Sequence, residues 1–206
     1  MKKQLYEIFS GDVVTDDMLS VAARLFSENY GTWGEHSRNP GKPVKLGARR
    51  LREEYLPHPT SESYYVRVTV DGDLAGNAFY RRWRYNGQGV CWVTQLVVDR
   101  KYRERGLASG LLRALRSDAD DIFGIMSSHP VACLAAASSF GTGIERVLLD
   151  FARENAQAIM KTSPIPYIRD ARHCVPSSEP TTQQGSFVEL ILASLWTMRN
   201  RRKPWK

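Results

Sequence analysis

Residues 90–115, VCWVTQLVVDRKYRERGLASGLLRAL, contain the pattern that decides the fold. The first nine residues, Val90 to Val98, are mostly β-branched or aromatic and predict a strand. After a charged turn, leucines recur from Leu107 to Leu115 at the spacing of one helix face. A strand that passes directly into a helix leaves the first N–H groups of that helix without backbone acceptors. We therefore predict an anion site at Gly106, where the helix begins.

The turn between this strand and this helix has two further features that suit an anion. Gly106 has no Cβ, so its backbone can be approached closely or can take a positive φ angle, and Arg103 and Arg105 add positive charge. The pattern Arg103-x-x-Gly106-x-Ala108 resembles the acyl-CoA signature of the GCN5-related N-acetyltransferase (GNAT) family. A surface turn that caps an ordinary amphipathic helix is the alternative interpretation of the same residues.

The resemblance implies an α/β fold with a mixed, splayed central sheet of the acyl-CoA N-acyltransferase type, whose C-terminal strand or strands are uncertain. It also implies acetyl-CoA as the co-substrate, with its pyrophosphate held by backbone amides of the turn. The strand before the signature is expected to bulge and to offer backbone groups from Gln95 to Val98 to the pantetheine arm. The acetyl-CoA contacts implied in this way are Leu96, Val97, Val98, Arg103, Glu104, Arg105, Gly106, Leu107, Ala108 and Ser109.

The rest of the chain predicts the other elements of such a sheet. Thr15 is a suitable N-cap for a helix of about fourteen residues, which Gly31 ends. Turn signals at residues 71–73 and 86–89 join three strands into an antiparallel meander that finishes at Val98. The remaining predicted elements are strands at 5–9 and 122–126, helices at 46–56, 131–140 and 144–160, and the start of a strand at 163–169.

These elements predict an N-acetyltransferase-like domain over residues 1–174. Residues 175–206 are predicted to form an atypical flexible loop and a basic C-terminal tail, because 175–185 is rich in Pro, Ser, Thr and Gln. The apolar segment 187–196 fits either a helix or a strand, since it lacks the alternation of a half-buried strand. The family normally ends with two further antiparallel strands, and the sequence does not determine whether segment 187–196 forms one of them.

Composition narrows the function further. Of the net charge of +7, five positive charges lie in residues 199–206, and without them the formal charge is +2. Because residues 1–198 are nearly neutral, nucleic acid is not expected as a partner. No apolar run reaches the ~18–20 residues of a membrane span, and the start lacks a secretory signal. The three cysteines are widely spaced, which predicts no metal site, reduced thiols and a cytoplasmic location. The oligomeric state is left open.

Catalysis is the least determined part of the site. Acetyl transfer to an amine needs a base for the ammonium proton and, often, an acid for the leaving thiolate. In the family this acid is often a Tyr in the helix after the return strand, but the corresponding position here is Ala137 and that helix has no Tyr. His129 is the predicted substitute, because a histidine side chain titrates near neutrality. A helix-capping role explains His129 as well.

The predicted substrate contacts are Tyr30, Trp33 and Gln95. The two aromatic residues lie in a Gly- and Pro-rich loop, where they either line a binding site or fold back on the core. The sequence thus predicts an acyl-CoA-dependent N-acetyltransferase that acetylates a primary amine of a small molecule or protein. A non-catalytic or degenerate acyl-CoA-binding member of the same family is the alternative, motivated by the missing Tyr.

Overall fold

The computed structural model describes residues 3–35, 37, 39–59, 62–127, 129–140, 149–171 and 193–197. Strands and helices are mixed along the chain, and the strands form one open sheet. In chain order the elements are β1 (Gln4–Ser10), α1 (Asp16–Asn29), α2 (Ala48–Tyr55), β2 (Ser63–Val70), β3 (Asp73–Tyr85), β4 (Gln88–Val98), α3 (Leu107–Ala114), β5 (Ile122–Met126), α4 (Pro130–Ser139), α5 (Leu149–Lys161), α6 (Pro166–Arg169) and β6 (Ala193–Thr197).

The six strands lie in the order in which they occur in the chain. β1 to β4 are antiparallel, β4 and β5 are parallel, and β6 runs antiparallel to β5. Both predicted hairpin turns are present, and Asp71, Gly72, Asn86 and Gly87 all have positive φ angles. Such angles suit the tight turns that match the twist of paired strands. The fold is therefore the mixed α/β sheet that the sequence predicts.

The sheet is splayed between β4 and β5. The parallel pairing of β4 with β5 ends at Val93 and Ile125, and β4 then continues to Val98 without β5. A β-bulge lies at the same place, because Tyr80 pairs with Val93 while Phe79 pairs with Gln95, which leaves Thr94 as the extra residue. The bulge therefore begins one residue before the segment for which the sequence predicts it.

Helices cover both faces of the sheet. Along β4, Cys91 and Val93 pack on one side with leucines of α3 and alanines of α4, whereas Val90 and Trp92 pack on the other side with α5 and α6. This alternation is that of a strand buried on both faces. A third cluster joins α1 and α2 to Phe79 on the α5 side. Helices therefore pack on both faces of the sheet next to the splay.

A buried ion pair fixes the segment between α3 and β5. The guanidinium of Arg82 donates to both carboxylate oxygens of Asp120, at 2.7 and 2.8 Å, and to the carbonyl of Leu115. The same group lies over the rings of Tyr64 and Tyr80, each 5.0 Å from the centroid. Because the Asp120 side chain is only 1% exposed, its charge depends on Arg82 for compensation.

One predicted element is wrong. The sequence predicts the start of a strand at 163–169, but Pro166–Arg169 forms the short helix α6. Pro166 occupies the first helical turn, where its missing N–H is no loss. Ile165 and Ile168 are fully buried against Trp92, so packing rather than strand alternation decides the conformation of this segment.

The C-terminal part of the chain contributes to the sheet. Residues 193–197 pair with 122–126 as β6, so part of segment 175–206 is a strand. The predicted loop at 175–185, the basic tail at 199–206 and the predicted first turn of the helix at 144–148 lie outside the described residues. In the part of the chain that the structure describes, no helix is long and apolar enough to cross a membrane.

Candidate active site

A long cleft of about 930 Å³ runs from the N-terminus of α3 to the splay. Its walls come from the end of α1, the second half of β4, the turn before α3, and α4. The lining residues include Leu96, Val97, Val98, Arg103, Glu104, Gly106, Leu107, Ala108 and Ser109. Every predicted acetyl-CoA contact except Arg105 therefore lies in one continuous wall.

The start of α3 presents backbone donors to this cleft. Gly106 is the N-cap residue and has φ 73° and ψ 9°, in the left-handed region that favours glycine. No heavy atom would lie within 4 Å of a Cβ at this position, so the space in front of its backbone is open. The first N–H groups of α3 have no acceptor within the helix. Together with the helix dipole they make this end of the cleft suitable for an anion.

Arg103 and Asn29 fasten the turn before α3 to the end of α1. The guanidinium of Arg103 donates to the carbonyls of Val98, at 3.2 Å, and Asn29. The side-chain oxygen of Asn29 accepts the N–H of Arg100 at 3.0 Å, and its amide donates to Leu25 O, also at 3.0 Å. The turn is thus held both by its own Arg103 side chain and by the Asn29 side chain of α1. Arg103 both lines the long cleft and sets the position of its anion-binding end.

Arg105 has a different environment from the rest of the predicted contact set. Its guanidinium lies 5.5 Å from the centroid of the Tyr102 ring, and it is not among the residues that line the long cleft. Arg105 is thus placed to add positive charge near the turn rather than to touch a ligand in the cleft.

A small cavity of about 70 Å³ lies at the splay and adjoins the long cleft. Four consecutive β4 residues, 93–96, line it, which a regular strand with alternating side chains would not allow on one face. Tyr30, Leu96, Ser127 and Ala132 line both the small cavity and the long cleft. A group bound along the cleft can therefore meet a second molecule held in the small cavity.

Gln95 is the predicted substrate contact that the structure places in the small cavity. Its side chain is buried, and among the described residues neither end of its amide has a hydrogen-bond partner. Tyr30 stacks on Phe26 with ring centroids 4.2 Å apart and contributes to both cavities. Trp33 lies in the loop before α2, bonded through its backbone to Lys42 and Gly41, and lines neither cavity.

His129 lies at the start of α4, on the wall of the long cleft. Its side chain is exposed, and its backbone N–H donates to the hydroxyl of Ser127 at 3.1 Å. The position makes His129 both the N-cap residue of α4, without a side-chain capping bond, and a cleft residue. Proton transfer and helix capping, the two roles that the sequence suggests for His129, are both compatible with this position.

Tyr167, which the sequence did not predict as a site residue, lines neither cavity but contacts Thr94 and Tyr55, which line the small one. Its hydroxyl donates to the carbonyl of Thr94, at the bulge, with an O···O distance of 3.2 Å. Its ring packs edge-on against Tyr55, with centroids 5.7 Å apart. Burial raises the pKa of Tyr167 well above its ordinary value, and the neighbouring Tyr55 and Glu54 act in the same direction. The Ser-Pro-Ile-Pro sequence before it was the available signal, because Pro166 also fits the first turn of a helix.

Comparisons with known proteins agree with this geometry. A sequence profile described as "Acetyltransferase (GNAT) family" matches residues 32–129, which include β2 to β5, α3 and the turn before it. A search of curated proteins finds no match.

The solved structures that match this chain include three acetyltransferases. An aminoglycoside acetyltransferase from an uncultured soil metagenomic sample is 13% identical, with 73% of this chain and 86% of that chain covered and a TM-score of 0.43. A GNAT acetyltransferase from Streptococcus pneumoniae is 11% identical, with 68% and 84% covered and a TM-score of 0.45.

An acetyltransferase from Trypanosoma brucei is 18% identical, with 68% of this chain and 92% of that chain covered and a TM-score of 0.44. Identities of this size say nothing about the substrate of the present chain. The profile match spans the strand, turn and helix around Gly106 on which the long cleft is built. Residues 32–129 thus match the acetyltransferase (GNAT) family model.

Proposed function

We propose that this protein is an N-acetyltransferase that transfers an acetyl group from acetyl-CoA to a primary amine. The observation that carries the proposal is the open N-terminus of α3 in a cleft that ends at the splay. The match of residues 32–129 to the acetyltransferase (GNAT) family model supports acetyl transfer as the class of reaction. The small cavity beside the splay supports a second substrate.

The long cleft fits acetyl-CoA in two respects. Backbone N–H groups of residues 106–109 are available for the pyrophosphate, and Gly106 leaves open space in front of them. The edge of β4 beyond Val93 has no β5 partner, so its backbone groups are available to the amides of a pantetheine arm. We infer that residues 96–98 hold this arm and direct it toward the small cavity.

The reaction requires this chain to orient an amine and to move two protons. Bound acetyl-CoA supplies a thioester carbonyl, whose carbon forms a bond to the amine nitrogen as the C–S bond breaks. One proton must leave the amine and one must reach the sulfur of CoA. Close packing around the small cavity favours the neutral amine, because burial without a counter-charge disfavours the ammonium form.

Two residues are candidates for these proton transfers. His129 lies on the wall of the long cleft, where its side chain is exposed to solvent. Tyr167 donates to Thr94 at the bulge, and its raised pKa keeps its proton on the phenol at neutral pH. We propose Tyr167 as the acid that α4 lacks, and His129 as the group that passes the amine proton to solvent.

A second candidate function is acyl-CoA binding without catalysis. Helix α4 has no Tyr, and it lines the long cleft through Val131, Ala132, Leu134, Ala135 and Ser138. None of these side chains donates a proton readily near neutrality, so an acid has to come from another element.

Release of free thiol from acetyl-CoA in the presence of a panel of primary amines distinguishes the two functions. We expect thiol release that depends on both the enzyme and the amine. Tight CoA binding without amine-dependent thiol release for any member of the panel would instead establish a binding protein.

A further inference from the structure

We infer that the small cavity selects amines that carry a neutral hydrogen-bonding group, such as a carboxamide or a hydroxyl, next to the amine. The inference rests on the proposed function and adds to it the chemical class of the acceptor. It is drawn from the side chains at the splay, and it excludes polycationic amines as preferred substrates.

Gln95 provides the first part of the argument. Its side chain is 6% exposed and lines the small cavity, and both Nε2 and Oε1 lack a hydrogen-bond partner among the described residues. Leaving a buried amide donor or acceptor unpaired is destabilising, because the group has lost its hydrogen bonds to water. A ligand group that accepts from Nε2 and donates to Oε1 removes this cost. A carboxamide has both functions in one plane, and a hydroxyl has both on one atom.

The absence of charge provides the second part. The described residues that line the small cavity are aromatic, aliphatic or neutral polar, and none carries a formal charge. The carboxylate of Glu54 is close to Tyr167, but Arg50 already binds it at 2.6 Å. A second ammonium group on the substrate would therefore enter the small cavity without a counter-ion, which is strongly unfavourable in a buried site.

The size and position of the small cavity provide the third part. A volume of about 70 Å³ accommodates a head group of a few heavy atoms rather than an extended molecule. The cavity shares Leu96 and Ser127 with the long cleft, so an amine held there faces the end of that cleft. Tyr55 and Tyr167 pack against each other beside it, and burial keeps the Tyr167 phenol uncharged because its pKa is raised.

Three amines of five heavy atoms each test the inference: glycinamide, isobutylamine and diaminopropane. We expect the wild-type protein to prefer glycinamide. Gln95→Leu should lower kcat/KM for glycinamide by about tenfold or more, as expected for the loss of hydrogen bonds to a buried amide, and should leave isobutylamine within about threefold. Gln95→Glu should raise diaminopropane relative to glycinamide. Comparing each variant with wild type on the same amine cancels the differences in amine basicity.

Gln88→Leu is the matched control, because it makes the same substitution seven residues earlier on β4, outside both cavities. It should change neither the ranking of amines nor CoA affinity. If Gln95→Leu lowers kcat/KM equally for all three amines, or if wild type prefers diaminopropane, the inference is wrong while N-acetyltransfer stands.

Saturation-transfer NMR of glycinamide with the CoA-saturated protein separates binding from turnover. If glycinamide binds, loses binding in Gln95→Leu, and is never acetylated, the inference about the small cavity stands and the proposed function fails. If glycinamide binds equally to wild type and Gln95→Leu, the inference fails whatever the turnover.

Discussion

Gly106→Asp tests the anion-binding end of the long cleft with a control that the chain itself provides. Gly106 and Gly87 have similar φ angles, 73° and 79°, and no heavy atom of the described residues would lie within 4 Å of a Cβ at either. Gly87 lies in the turn between β3 and β4, and does not line the long cleft. The two substitutions to Asp should therefore have a similar backbone cost, whereas only the Asp at position 106 places a carboxylate at the N-terminus of α3.

The structural cost is small. Asp tolerates the left-handed region better than most residues, and the change from Gly should destabilise either variant by about 1 kcal/mol. For a chain of this size, that corresponds to a fall in Tm of about 2–4 °C. Equal shifts in thermal denaturation would confirm that the two variants are matched.

The effect on binding should be large at one position only. A carboxylate about 4 Å from a phosphate charge costs about 1 kcal/mol in water and about 4 kcal/mol near a protein surface. We therefore expect Gly106→Asp to weaken CoA binding by at least tenfold and Gly87→Asp to leave it unchanged, as measured by isothermal titration calorimetry. Equal CoA affinity in the two variants would refute the placement of the pyrophosphate at α3.

Three further outcomes follow from buried groups. Asp120→Asn should cost about 3 kcal/mol in urea denaturation, because it leaves Arg82 without its buried counter-charge, whereas the exposed Asp118→Asn should cost less than about 0.5 kcal/mol. Tyr167→Phe should lower kcat at least tenfold without changing the KM for acetyl-CoA, with Tyr6→Phe as the control, because the Tyr6 hydroxyl bonds Gln4 on β1 rather than Thr94 at the bulge. Burial raises the pKa of Tyr80 to about 12; the folded chain therefore keeps a proton that the unfolded chain loses above pH 10, and stability should fall as pH rises from 10 to 12.

A specific result would contradict each of these three predictions. Equal urea midpoints for Asp120→Asn and Asp118→Asn would show that the Arg82 pair contributes little to stability. Unchanged kcat in Tyr167→Phe would remove Tyr167 as the acid and leave His129. Ultraviolet titration in which every tyrosine of the folded protein ionises near pH 10 would contradict the burial of Tyr80.

Local sequence signals are sufficient for much of the fold. Thr15 caps α1 through its side-chain oxygen, which accepts the N–H of Met18 at 3.2 Å, as its position before the helix predicts. The Asp-Gly and Asn-Gly pairs form both hairpin turns because their residues tolerate positive φ angles. The strand, turn and helix around Gly106 also follow from local patterns, so the long cleft can be anticipated from the sequence.

The small cavity depends on contacts between distant residues. The bulge at Thr94 arises from the register between β3 and β4, which no local pattern determines. Gln95 is important because its buried amide has no hydrogen-bond partner among the described residues. Tyr167 reaches Thr94 only because α6 packs on the sheet through Ile165 and Ile168. Such information is tertiary, and for this reason the catalytic and acceptor groups were the part of the site that the sequence predicted least well.

The measurement that tests the central claim most directly is the transfer of an isotopically labelled acetyl group. Labelled acetyl-CoA and glycinamide would be incubated with the protein, and both the acetylated amine and free CoA would be quantified by mass spectrometry. We expect labelled N-acetylglycinamide in equal amount to the CoA released, and a large reduction of both in Gly106→Asp. CoA release without labelled product, or product formation that Gly106→Asp leaves unchanged, would contradict the account.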